Sequence, residues 1–216
     1  MRGCACTPLP DARLWLLLTV DGVAQVALAL SAEGAAEVAL PEGVYDVNGQ
    51  QLDTRRENSW LLKLGEVATV EAAEVLAINT LAPFTLNSKL KPLMLAAEAE
   101  GEPKFVVNVS AMEGKFYRYK TPNHPHTNMA KAALNMMTRT SADALKDEGI
   151  YMNSVDTGWI NDENPLEKAS RLAAEGFQTP IDEIDAAARI LDPAFVGYTG
   201  TLHHGAFFKD YALTEW

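Results

Sequence analysis

A chain of 216 residues with 48% hydrophobic and 22% charged side chains is long enough to bury the core of one domain, and is too evenly mixed to be disordered or fibrous. Its 29 Asp and Glu against 18 Lys and Arg give a net charge of −11, which argues against the basic face that nucleic-acid binding needs. Cys4 and Cys6 are too close together to pair readily and too few to complete a metal site, so they read as reduced tail residues in a cytoplasmic protein.

The first pattern in chain order is the apolar stretch at 14–30, LWLLLTVDGVAQVALAL. Its apolar core, Leu14–Leu18, is short, and Asp21, Gly22 and Gln25 interrupt the remainder, so it falls short of the roughly 20 apolar residues that span a membrane. Two strands about an Asp21-Gly22 turn are expected instead, because that dipeptide tolerates the positive φ of a tight hairpin. Residues 1–40 thus form a divergent N-terminal segment. Residues 44–60 are polar, carry a turn signal at Asn48-Gly49 and read as a surface loop.

From Thr69, a candidate N-cap with Glu71 and Glu74 in the first turn, a long helix begins. Its apolar face carries Val75, Ile78 and Leu86, and kinks are expected at Pro83 and Pro92. Phe105–Val109 reads as a strand buried on both faces. Residues 111–126 read as a loop, and Asn128–Lys146, closed by Gly149, as a strong helix. A strand at Ile150–Val155, a loop, a helix at 181–191 capped by Asp182 and a terminal strand at His204–Tyr211 complete the series. This alternation predicts an α/β fold: a mostly parallel sheet flanked by helices.

Four segments in this order resemble the short-chain dehydrogenase/reductase family over roughly residues 40–216. Asn79 in A-I-N-T-L-A-P-F is similar to the family's helix asparagine, which anchors a water in a proton relay. F-V-V-N-V-S-A-M-E-G is similar to the strand that ends at the catalytic serine. Lys131, at the start of A-K-A-A-L-N, matches the lysine of the Tyr-x-x-x-Lys motif, and S-V-D-T-G-W resembles the loop that shapes the nicotinamide pocket. The resemblance implies a Rossmann-like fold, NAD or NADP as cofactor, and oxidoreductase activity. It assigns catalytic roles to Lys131 and Asn79 and cofactor contacts to Lys131, Asn108 and Gly158. It also implies a homo-oligomer in which the helices carrying Asn79 and Lys131 associate, with Met129, Ala133, Met136, Met137 and Thr140 offering a small-residue, Met-rich face.

The departures are chemical. The serine position is Ala111, with Ser110 one residue earlier and therefore on the opposite face of a regular strand. The tyrosine position is Thr127, whose hydroxyl is shorter and far less acidic. Thr157 stands where the nucleotide loop has proline. His126 is the first candidate for a relocated acid, since imidazole transfers protons near neutral pH, with Ser110 and Thr127 the other hydroxyl groups in reach. His124-Pro125-His126 lacks a third ligand, so no metal is expected, and His203-His204 reads as structural. No G-x-G-x-x-G or G-x-x-x-G-x-G occurs in the chain, so the turn that cradles a pyrophosphate is missing. The chain accordingly reads as the C-terminal part of such a fold, lacking the usual first βαβ units. Two functions stay open: an oxidoreductase impaired at its catalytic positions, and a non-catalytic, dimerising derivative. Neither membrane nor nucleic acid is an expected partner.

Overall fold

The computed structural model describes residues 58–96, 102–117, 119–160 and 163–216, together with Gly43. The expected hairpin at 14–30, the Asn48-Gly49 turn and both cysteines lie outside the described residues. Within them the order is α1 (Thr69–Leu76), a π-turn (Ala77–Leu81), α2 (Ala82–Leu95), β1 (Lys104–Ser110), a 3₁₀ turn (Met112–Gly114) and α3 (Pro125–Asp147). The chain continues with β2 (Ile150–Asp156), α4 (Leu166–Ala174), α5 (Glu183–Tyr198), β3 (Phe207–Lys209) and β4 (Ala212–Thr214).

The sheet order is β1-β2-β3-β4, with β1, β2 and β3 parallel and β4 antiparallel to β3. The mostly parallel sheet with flanking helices is the expected one. β2 lies inside the sheet and is almost wholly buried, as the run Ile150–Asp156 requires. β1 departs from expectation. It is mostly half-buried, Val109 is 41% exposed, and among the described residues it pairs on one side only. The Lys104 N–H donates to the Gly149 carbonyl at 3.1 Å. By alternation, Lys104, Val106, Asn108 and Ser110 therefore turn their backbone groups toward β2, while Phe105, Val107 and Val109 turn theirs to the opposite edge.

Side chains alternate with the same period. Asn108 and Ser110 reach α3, whereas Phe105 lies on the other face with its ring edge-on to Tyr198 of α5, centroids 5.1 Å apart. Helices thus cover both faces. α3 packs on the sheet through a stripe at four-residue spacing, His126, Ala130, Leu134, Thr138 and Ala142.

Several element boundaries move. The first helix is capped by Ala68 without a side-chain bond, so Thr69 lies inside the helix rather than at its N-cap. It runs on through the π-turn, where Ala82 N–H donates to the Ala77 carbonyl, five residues back. Pro83 follows at the start of α2 and has no N–H to offer the Asn79 carbonyl, a local reason for the ladder to slip there. Pro92 sits inside α2.

α3 begins three residues early, at Pro125, a position where a missing N–H costs nothing. His124 before it adopts the left-handed conformation (φ 40°) and is held there by two contacts. Its ring stacks on Trp60 at 3.9 Å, and its N–H donates to the Leu62 carbonyl. Asp182 caps α5 as expected: its Oδ1 accepts from the N–H groups of Ile184 and Asp185, both at 2.9 Å. The expected single terminal strand is a tight hairpin, turned by Asp210 and Tyr211 at φ 51° and 62°. α4 interrupts the loop expected after β2. No described helix is long and apolar enough to cross a membrane.

Candidate functional site

The C-terminal ends of parallel strands leave a crevice where ligands bind in open α/β sheets. Here it is bounded by the end of β1, the 3₁₀ turn, the start of α3 and the loop after β2. Lys131 enters from the second turn of α3 and donates its ammonium to the Val109 carbonyl at 3.0 Å, on the edge of β1 away from β2. Burial lowers its pKa, an effect the nearby Glu113 carboxylate partly opposes. The turn is held close because Gly114 packs directly on α3: a Cβ there would stand 2.8 Å from the Lys131 carbonyl.

Asn79, Asn108 and Lys131 line one groove of about 420 Å³ between the π-turn, β1 and α3, so the fold gathers three of the expected residues. Asn79 Nδ2 donates to the Val75 carbonyl of its own helix at 3.1 Å. Asn108, for which a cofactor contact is expected, is 6% exposed and hydrogen-bonded within the fold. Its Oδ1 accepts from Asn87 at 3.2 Å and its Nδ2 donates to the Thr138 hydroxyl at 2.8 Å, which also receives the Ser154 hydroxyl at 2.9 Å. That polar chain ties α2, β1, α3 and β2 together.

Ser110 is 3% exposed, and its hydroxyl donates to Asn135 Oδ1 at 2.5 Å. The hydroxyl therefore points into the interior toward α3. Strand alternation, which set Ser110 opposite to the Ala111 position, explains the outcome. His126 is 5% exposed and lies on the sheet-packing stripe of α3, with no partner for Nδ1. Burial pushes its pKa down; Glu71 opposes this weakly and His124 adds to it. Thr127, one residue on, is half-buried on the flank that leads to Lys131.

Gly158 is left-handed (φ 91°), and a Cβ there would meet the Arg189 guanidinium at 2.7 Å, so glycine is required. Its N–H donates to Asp156 Oδ1 at 2.9 Å, and Asp156 Oδ2 accepts from Lys209 at 2.7 Å. Arg189 in turn donates to the Thr157 carbonyl at 2.9 Å and to Asp210. The group singled out for cofactor contact is thus held inside a network of this chain's own charges. Among the described residues no three His, Cys, Asp or Glu side chains are grouped to hold a metal.

Sequence reasoning missed Asn135, Lys115 and Lys120. The spacing from Lys131 to Asn135 is one helical turn, which was a usable signal for a shared face. Lys115, buried at 1% exposure, donates to the Thr214 hydroxyl at 3.0 Å and the Glu215 carbonyl at 2.6 Å and lies over the Phe207 ring. Nothing local in the sequence marks it. Lys120 donates to the carbonyls of Met112 and Glu113 at 2.6 and 3.0 Å, and burial lowers its pKa as well.

A family model described as enoyl-(acyl carrier protein) reductase matches residues 61–197, the span from the segment before α1 to the end of α5. The chain belongs to the short-chain dehydrogenase/reductase family. An uncharacterised protein of Acanthamoeba polyphaga mimivirus is 34% identical over 154 residues, which are 68% of this chain and 32% of that protein. Among solved structures, the carbonyl reductase Sniffer of D. melanogaster superposes with a TM-score of 0.57 at 20% identity, over 72% of this chain and 61% of that one. An NADPH-bound carbonyl reductase from chicken fatty liver superposes with a TM-score of 0.52 at 17% identity, covering 90% and 83%. These likenesses establish the fold. The chain spans about a third of the mimivirus relative and less than two thirds of the Sniffer reductase.

Among the described residues, the groups singled out for cofactor contact make hydrogen bonds within the fold. Asn108 is engaged with Asn87 and Thr138, the Gly158 N–H with Asp156, and Lys131 with the strand end. No glycine-rich turn opening a helix occurs among them.

Proposed function

We propose that this chain is a short-chain dehydrogenase/reductase whose own catalytic site is impaired, and that its helices serve association between copies. The observation that carries this reading is the pairing at the end of β1. The Ser110 hydroxyl is turned inward onto Asn135 while Lys131 donates to a backbone carbonyl, and the position one helical turn before the lysine carries Thr127. In the family the lysine lowers the pKa of a neighbouring tyrosine. Thr127 cannot take that role, because an aliphatic hydroxyl remains protonated far above neutral pH. Loss of a positioned general acid removes on the order of 10²–10⁴ in rate.

Calorimetric titration with NADPH and NADH is the direct test, and the expected result is no saturable binding of either. A micromolar Kd for one of them would overturn the impairment and restore the oxidoreductase reading. In that event His126→Ala separates a relocated acid, for which turnover collapses, from a buried structural histidine.

The association surface is supported by the exposure of Met129 and Met136, 57% and 58%, on the side of α3 away from the sheet stripe. Apolar side chains left in water at helical spacing favour burial against another surface. A second copy presenting the same patch satisfies two-fold symmetry.

A further inference from the structure

The groove between the π-turn, β1 and α3 sets a single amine against apolar walls. Those walls are Ile78 of the π-turn, Pro83, Leu86 and Leu90 of α2, Val107 of β1 and Leu134 of α3. Among the described residues that line it, Lys131 is the one ionisable side chain. The other polar groups there are amides already engaged: Asn87 donates to Asn108 at 3.2 Å, and Asn79 donates to its own helix. The Lys131 nitrogen exchanges part of its hydration for one bond, to the Val109 carbonyl at 3.0 Å. Burial disfavours its charged form, and the Glu113 carboxylate of the 3₁₀ turn opposes this only in part. A neutral amine keeps a lone pair for a second partner while one N–H still serves Val109. Such a desolvated lysine is a nucleophile toward carbonyl compounds.

We propose that Lys131 traps aldehydes: its amine condenses with an aldehyde that carries an apolar chain, and that chain lies in the groove against α2. The nitrogen attacks the carbonyl carbon, and a proton passes from nitrogen to the carbonyl oxygen to give a carbinolamine. The new hydroxyl then leaves as water with the remaining nitrogen proton, so the C–O bond breaks and a C=N bond stays. The step consumes no oxidant, reductant or nucleotide, and it stands whether or not the chain binds NADPH. The groove also sets the class of aldehyde. Pro83 and Leu90 are seven positions apart, about 10 Å of helix at 1.5 Å per residue. A wall of that length, bounding a volume of about 420 Å³, suits an unbranched chain of hexyl size.

Reductive trapping on the full chain tests this. The protein is incubated with hexanal and sodium cyanoborohydride, which reduces the imine to a stable secondary amine, and adducts are located by peptide mass mapping. Lys131 should be modified roughly tenfold faster than the exposed Lys63 and Lys89, because a lowered pKa enlarges the neutral fraction. Each methylene buried in the groove adds about fourfold in affinity, so hexanal should exceed propanal at Lys131 by at least about tenfold but react like propanal at Lys63. Leu86→Ser, at a position 57% exposed, should remove most of that preference. Modification of Lys131 no faster than that of Lys63 and Lys89 would overturn the proposal and leave the lysine as an anchor for the strand end. So would a rate at Lys131 independent of chain length, or a hexanal preference that Leu86→Ser leaves intact.

Discussion

Ser110 and Ala111 differ by one position, and that position decides which way a hydroxyl points. Because side chains alternate along β1, Ser110 shares the face of Asn108 and reaches α3, where Asn135 Oδ1 accepts its hydrogen bond at 2.5 Å. Ser110→Ala should leave Asn135 Oδ1 without its donor in a buried setting. The expected loss is about 1–3 kcal/mol in urea denaturation, with a wild-type stability as the outcome that would remove the bond from consideration. His126 gives a pH dependence whose sign follows from its burial. Its folded-state pKa lies below the unfolded value of about 6.5, so the unfolded chain binds more protons and stability rises with pH. The contribution is complete above that value and is lost as pH falls below it. His126→Gln should lose less stability than the native chain between pH 8 and pH 5; equal losses would show that the imidazole is not the group responsible.

At the scale of the element, α3 has one buried stripe and an exposed side that carries methionines. The stripe from His126 to Ala142 faces the sheet, while Met129 and Met136 are turned away from it. Sequence periodicity alone left the Met-rich face open to either assignment. If copies associate through α3, Met136→Glu should convert the dimer to monomer in sedimentation equilibrium at unchanged fold. A native chain that is monomeric at tens of micromolar would sink the proposal outright. α5 illustrates the opposite case, in which a local signal was sufficient: Asp182 supplies its oxygen to two of the orphan N–H groups of the first turn. Asp182→Ala should cost about 1 kcal/mol and fray that end, seen as a lower thermal midpoint. The π-turn around Asn79 had no such signal beyond Pro83.

Over the whole molecule, Lys115 links parts that are distant in sequence. Its ammonium reaches Thr214 and Glu215, 99 and 100 residues away, and burial lowers its pKa despite partial compensation from Tyr117 and Asp156. Lys115→Ala should release the β3–β4 hairpin and cost on the order of 2–4 kcal/mol in lost packing and unpaired acceptors. Exchange of the Phe207 and Phe208 amides reports it; unchanged protection there would show that the hairpin holds without the lysine. The strand–helix alternation, the parallel β1–β2 pair, the cap at Asp182 and the family itself were legible in the sequence, because each rests on periodicity or on residue types at fixed local spacing. What the sequence could not supply was direction. Whether Asn108 meets Asn87 and Thr138, and whether the Arg189 guanidinium stands against Gly158, depend on neighbours brought together from farther along the chain. Those contacts exist only once the sheet is assembled: they engage Asn108 with Asn87 and Thr138, and they bring Asn79 and Lys131 to one groove.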